Sequence, residues 1–428
     1  MTTETTKTTD THGPARTRVR YPLDAIRGLA ALLVLTFHAY QNQFLDVATE
    51  DKPTSPALHL LLVASEGAVD MFFVLSGFLL FLPAARDGLR GAPPRSAADL
   101  LLRRVARLLP LYYAVVLVVW AVSNPDLPGH WQDLVLHLTF THVYSDTYIF
   151  WTDGPAWTLA VEFHFFLLMA LLVPRLGRAC ARRATRASRL AVLAVPPLAM
   201  IAIGVAWLWT SVFVRDVPIT DWSTWFGFLS KTAMFGLGMG LALVVALRGQ
   251  PDAEHDRTRW LRPVLGAVAV ALVGAAYVGR PDVPTSATSE LWHLVYGVAS
   301  VLLIAAVVLK PEGGPAFLHW RSLTFLGGVS YGIYLLQEPV MRALRAQGLL
   351  PAQDGSLLDV PMTALVVGAV TLVVAWLSAR YLEANGLRLL SMFGPGGARR
   401  DYYPHLRDDH EALTRLAEQH ERRGLHSV

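Results

Sequence analysis

The 428-residue chain is short of what a water-soluble protein of its length carries. Charged residues make up 16% of it, against roughly a quarter in soluble domains, while hydrophobic residues reach 53%. A single cysteine, Cys180, excludes a disulfide framework, and no cysteine–histidine group has zinc-site spacing. No repeat of fixed period and no soluble domain interrupts the apolar runs, and the runs lack the alternation that a β-barrel strand needs. The net charge of +4 comes largely from arginines between apolar runs, which is the pattern of a topology signal and not of a nucleic-acid surface. Soluble enzymes, secreted disulfide scaffolds and DNA-binding proteins are thereby excluded.

What the chain has is length of apolar sequence. Runs able to cross a bilayer occur at about 26–44, 68–85, 105–122, 156–174, 190–210, 225–247, 263–279, 291–309, 323–344 and 359–382. Only helices and closed barrels satisfy their backbone in lipid, so these runs predict an all-α integral membrane protein of about ten transmembrane helices. Residues 1–20 form a polar, Thr-rich tail without the apolar core of a signal peptide, and residues 21–390 form the membrane domain. Residues 391–428 form a charged tail, with a surface helix expected near 408–422.

Ten spans put both tails on one side. Thirty of the 37 lysines and arginines fall in the tails and in the loops on that side, and four in the opposite loops. That asymmetry predicts cytoplasmic termini and a multi-pass protein of the plasma membrane.

Ionisable residues inside lipid-spanning runs cost at least about 2.5–3.5 kcal/mol each at the bilayer centre, which makes them functional candidates. The first run carries Arg27 and His38, eleven residues and therefore about 16 Å apart on one helix face. Arg27 falls near the cytoplasmic entrance and His38 beyond the midplane; a snorkelling arginine and a packed histidine are the alternative. In EGAVDMFFVLSGFLL (66–80), Asp70 either orients His38 or caps a helix start, and Gly77 admits close helix packing. RRVARLLPLYY (103–113) gathers Arg103, Arg104 and Arg107 at the cytoplasmic surface, as a lipid-phosphate anchor or as a clamp for a soluble phosphate.

GPAWTLAVEFHFFLL (154–168) buries Glu162, which demands neutrality, a partner or a wet cavity, and brings Trp157, either at the site or in an interfacial aromatic belt. SYGIYLLQEP (330–339) lays Tyr331, Tyr334 and Gln337 in one polar stripe able to line a cavity.

In this order the blocks resemble the acyltransferase-3 family of integral membrane O-acyltransferases. Its first-span arginine and histidine are matched by Arg27 and His38, its arginine block by residues 103–113, and its tryptophan–glutamate block by Trp157 and Glu162. The second-span block, SYGIYLLQEP and ARYLEA (379–384) complete six collinear matches over roughly residues 21–390. Relatives often carry histidine where this chain has Gln337, and many append an esterase-like domain where this chain has a short tail.

The resemblance implies transfer of an acyl group from acyl-coenzyme A, used as co-substrate without a metal, to a hydroxyl on a sugar-containing acceptor. That acceptor is a glycosylated natural product such as a macrolide, or a cell-envelope glycan. Arg103, Arg104, Arg107 and Arg27 would dock the coenzyme, and His38 would be the general base with Arg27, Glu162 and Asp70 beside it. Trp157, Tyr331, Tyr334 and Gln337 would meet the substrate. A proton-coupled transporter or flippase of a glycosylated or anionic substrate is the competing class. No nucleic acid is among the implied partners; the bilayer is.

Overall fold

The computed structural model describes residues 22–44, 55–93, 95–249, 260–280, 286–309 and 315–386, with the backbone alone for 97–100 and Arg103. The polar tail, the charged tail with its expected surface helix and the side chain of Arg103 lie outside that description.

Twelve α-helices make up the described chain: α1 (Leu23–Gln43), α2 (Pro56–Arg90), α3 (Ala97–Ser123), α4 (Trp131–Leu138), α5 (Ala156–Ala181) and α6 (Arg186–Phe213). They continue as α7 (Trp222–Phe226), α8 (Phe228–Arg248), α9 (Leu261–Gly279), α10 (Trp292–Val308), α11 (Arg321–Ala346) and α12 (Asp359–Ser378). Some helix starts carry a side-chain cap. Ser55 accepts from the Leu58 N–H at 3.1 Å ahead of Pro56, and Thr185 accepts from the Ser188 N–H at 3.2 Å. α2 ends on Gly91, whose φ of +68° suits a residue without a Cβ.

Nine helices among the described residues are long and apolar enough to cross a membrane, and they fall on nine of the ten expected runs. The tenth run is α11, whose 26 residues suffice to span. Its Tyr331, Tyr334, Gln337, Glu338 and Arg342 lower its hydropathy, and it lies buried between α1 and α12 instead of facing lipid.

Burial separates the centre from the rim. The most apolar stretches of α2 and of the segment holding α7 and α8 are 67% and 72% buried, that of α9 only 11%. At the centre α2 and α8 meet through glycine: a Cβ on Gly77 would strike the Phe235 carbonyl, and one on Gly238 the Val74 carbonyl. Small residues that let backbones touch are the chief packing device where lipid gives no hydrophobic drive, as expected for Gly77. The Phe235 ring stacks on Phe165 at 4.1 Å, joining α5 to the same core.

α1 and α11 run parallel. A Cβ on Gly28 would lie 2.8 Å from the Gly327 nitrogen, and ten residues further along each helix His38 sits beside Gln337. That register fixes the geometry of the site.

Candidate active site

A cavity of about 780 Å³, counting its open mouth, lies between α1, α2, α3, α5 and α11. Its polar lining is Arg27, Ser76, Arg104, Arg107, Thr158, Glu162, Ser330, Tyr331 and Tyr334. Local helix geometry explains the convergence. Arg104 and Arg107 are one turn apart on α3, while Tyr331 and Tyr334 are one turn apart on α11. The sequence-derived stripe of tyrosines does line a cavity, and Arg27, Arg104, Arg107 and Glu162 share it.

Glu162 is the focus of the charge. Its carboxylate accepts a hydrogen bond from the Ser76 hydroxyl, and Arg27, Arg104 and Arg107 all lie close enough to act on it electrostatically. Among the lining residues guanidinium groups outnumber carboxylates three to one. Asp24 reaches Arg27 from outside at 3.9 Å and Glu383 reaches Arg107 at 4.0 Å, both longer than hydrogen bonds. Arg104 also lies over the Phe166 ring at 5.5 Å. Guanidinium forks that surround a cavity of this size suit a phosphate-bearing ligand.

Two tyrosines of α11 line the same cavity. Tyr331 donates to the Leu108 carbonyl at 2.6 Å, and the Tyr334 ring packs edge-on against Phe72 at 5.6 Å. Beyond Tyr334, outside the cavity lining, is His38, whose Nδ1 is buried and has no hydrogen-bond partner among the described residues. Gln337 sits beside it and donates to the Tyr334 carbonyl at 3.1 Å. Gln337 therefore belongs with His38 and not with the arginines.

Two expectations are corrected. Asp70 neither orients His38 nor caps a helix: α2 begins at Pro56, and the Asp70 Oδ2 is 2.7 Å from Nδ1 of His293 on α10. Trp157 is not in an interfacial belt but is buried, with its ring against Phe73 at 5.8 Å and Phe226 at 4.6 Å and under the Lys231 ammonium at 5.8 Å. Its neighbour Thr158 reaches the cavity, and Trp157 does not. Thr158 and Ser330 are lining residues that sequence reasoning passed over; each follows a singled-out position by one or precedes one by one, the only signal available. His293, the partner of Asp70, carried none.

Between α3 and α5 a connection folds back over the helix ends. Within it the Thr152 hydroxyl donates to Asp133, and His137 and His142 stack at 3.9 Å. Burial, and secondarily the neighbouring His137, pull His142 well below the usual imidazole range.

A bundle of apolar helices enclosing arginines and a carboxylate around a cavity, with a buried imidazole beyond it, defines a multi-pass membrane protein with a charged internal cavity. The chain belongs to the acyltransferase-3 family: a family model described as an acyltransferase domain matches residues 20–380. It is similar to "Acyltransferase MdmB" of Streptomyces mycarofaciens, 28% identical over 400 residues that cover 88% of this chain and 94% of that one. The "Putative peptidoglycan O-acetyltransferase YrhL" of Bacillus subtilis is 26% identical over 74% of this chain and 48% of its own length. The "Putative membrane-bound transacylase BcsY" of Komagataeibacter xylinus is 25% identical over 86% and 83%. No solved structure matches the chain.

Proposed function

We propose that the protein transfers an acyl group from acyl-coenzyme A to a hydroxyl of a sugar-containing acceptor, with His38 as general base. The observation that carries this reading is the alignment along α1. Three guanidiniums and Glu162 surround a cavity at the Arg27 level, and a histidine with a buried, unpartnered Nδ1 sits about 16 Å further along the same helix face. The phosphates of the coenzyme would rest among Arg27, Arg104 and Arg107. Its slender pantetheine arm would pass Tyr331 and Tyr334 toward His38. The excess of lysine and arginine on this side supports cytoplasmic entry of the donor.

The chemistry then balances without an added reagent. The acceptor oxygen attacks the thioester carbonyl as His38 takes the hydroxyl proton. The new C–O bond forms, the C–S bond breaks, and His38 returns the proton to the departing thiolate. A neutral imidazole is matched to this task near pH 7. A glycosylated small molecule or an envelope glycan would be the acceptor, and acetyl or another short acyl group the cargo.

The test is transfer of label from radiolabelled acetyl-coenzyme A, comparing wild type with His38→Ala at matched expression. Loss of turnover by about 10²–10⁴-fold, with the coenzyme still bound, is the expected result. Equal labelling by both proteins would remove His38 as base. Absence of transfer together with absence of coenzyme binding would favour the transporter class.

A further inference from the structure

The segment just before α5 holds a second group of unspent polar atoms, on the side of Tyr334 away from the arginines. Arg342, near the end of α11, pairs with Glu338 and donates to the Thr152 carbonyl at 3.0 Å. The Glu338 carboxylate in turn packs on Gly154. These contacts hold residues 152–154 against the far half of α11. Asp153, between them, is fully buried, and neither of its carboxylate oxygens has a hydrogen-bond partner among the described residues.

The same is true of Gln337 Oε1 and His38 Nδ1. Glu338 acts electrostatically on both His38 and Asp153, and Tyr334 also feels Asp153. Buried polar atoms are nearly always satisfied; the Gln337 and His38 side chains are close enough to pair with each other, but the two bare oxygens of Asp153 call for something that hydrogen-bonds.

We infer that Asp153, with Gln337, forms the acceptor subsite, and that it takes an uncharged, hydroxyl-rich sugar ring approaching from the membrane face opposite the arginine cavity. The inference rests on the transferase reading and adds to it where the second substrate sits. Its chemistry follows from charge. Burial and the nearby Glu338 push the Asp153 carboxyl well above the usual carboxylate range, against the pull of Arg342, which favours the form that can donate as well as accept. Such a group matches a sugar hydroxyl. Glu338 already has Arg342 as counter-ion, so the pair leaves no net charge to draw an ionic ligand. Donor and acceptor thus come to His38 from opposite ends, divided by Tyr334.

The experiment uses the full-length protein in detergent with radiolabelled acetyl-coenzyme A and three soluble probes: erythromycin, muramyl dipeptide and methyl glucoside. Asp153→Ala and Asp153→Asn are compared with wild type on whichever probe wild type labels. Asp153→Ala should raise the acceptor KM at least about tenfold and leave the acetyl-coenzyme A KM within about twofold, while Asp153→Asn, which still donates and accepts, recovers most of the loss.

An unchanged acceptor KM in Asp153→Ala would overturn this subsite and leave the transferase reading intact. So would a donor KM that rises in step with the acceptor KM, because that marks general disruption. Should Asp153→Ala fail to accumulate, Asp153→Ser takes its place with the same thresholds. Wild-type protein that labels none of the probes and binds no coenzyme would instead remove the transferase reading, and this subsite with it.

Discussion

Two groups of charges lie inside the helix bundle, and they are built differently. The first, Arg27, Arg104, Arg107 and Glu162, surrounds a cavity. The second joins α2, α8, the end of α9 and the start of α10 through Glu66, Asp70, Lys231, Arg280, Glu290 and His293, none of which lines that cavity. Here His293 sits between Asp70 at 2.7 Å and Glu290 at 3.4 Å, Arg280 pairs with Glu66, and the Lys231 ammonium covers the Phe226 ring at 5.5 Å. Three acids face three bases, so this group is neutral within itself once His293 is protonated. Asp24 and Glu383 stand near Arg27 and Arg107, so both groups hold acids beside their bases; what sets the first apart is that it borders open space. In a membrane both look alike in the sequence, as ionisable residues in apolar runs.

The sharpest way to break that distinction is to open the closed group. Asp70→Ala strands a buried His293 and should cost about 3–5 kcal/mol of stability, read as a lowered Tm in detergent, while kcat/KM of the surviving protein falls much less than in His38→Ala. A kinetic defect without a stability defect would move Asp70 into the first group. Next in size, Arg104→Ala should forfeit about 1.5–3 kcal/mol of coenzyme binding, roughly tenfold or more in KM, with little change in Tm. Coenzyme binding in that variant should also depend less on salt, which titration at two ionic strengths would show.

Arg104→Lys keeps the charge and loses the planar fork, so its coenzyme KM should fall between those of wild type and Arg104→Ala. The smallest effect belongs to Trp157→Phe. It weakens a cation–π contact with Lys231 worth about 0.5–2 kcal/mol, and should lower Tm slightly without altering either KM. An acceptor KM that moved in Trp157→Phe would give that residue a part in binding the substrate.

Much of the architecture could be read from the chain because lipid imposes a simple rule on length and hydropathy. Nine described helices match nine apolar runs, and the tenth helix is the one whose polar stripe serves the site. The shared face of Arg27 and His38 was equally legible, since it needs only helical geometry. Partners across helices were not. Asp70 meets His293 at a separation of 223 residues and Glu162 meets Ser76 at 86, distances over which no periodicity speaks. Asp153 escaped notice for a related reason: it lies in a connection, outside any apolar run, and its burial comes from α11 folding against it.

The parallel register of α1 and α11 has a dimensional consequence. With Gly28 against Gly327 at one level and His38 beside Gln337 ten residues on, the two helices keep arginine and imidazole at a constant separation, as the jaws of a caliper are kept. Under the proposed chemistry the molecule measures its donor: a thioester must reach about 16 Å from its phosphates to its carbonyl. A shorter phosphorylated thioester would be gripped by the guanidiniums yet fall short of His38. It would occupy the cavity without reacting, and so act as a competitive inhibitor selected by its length.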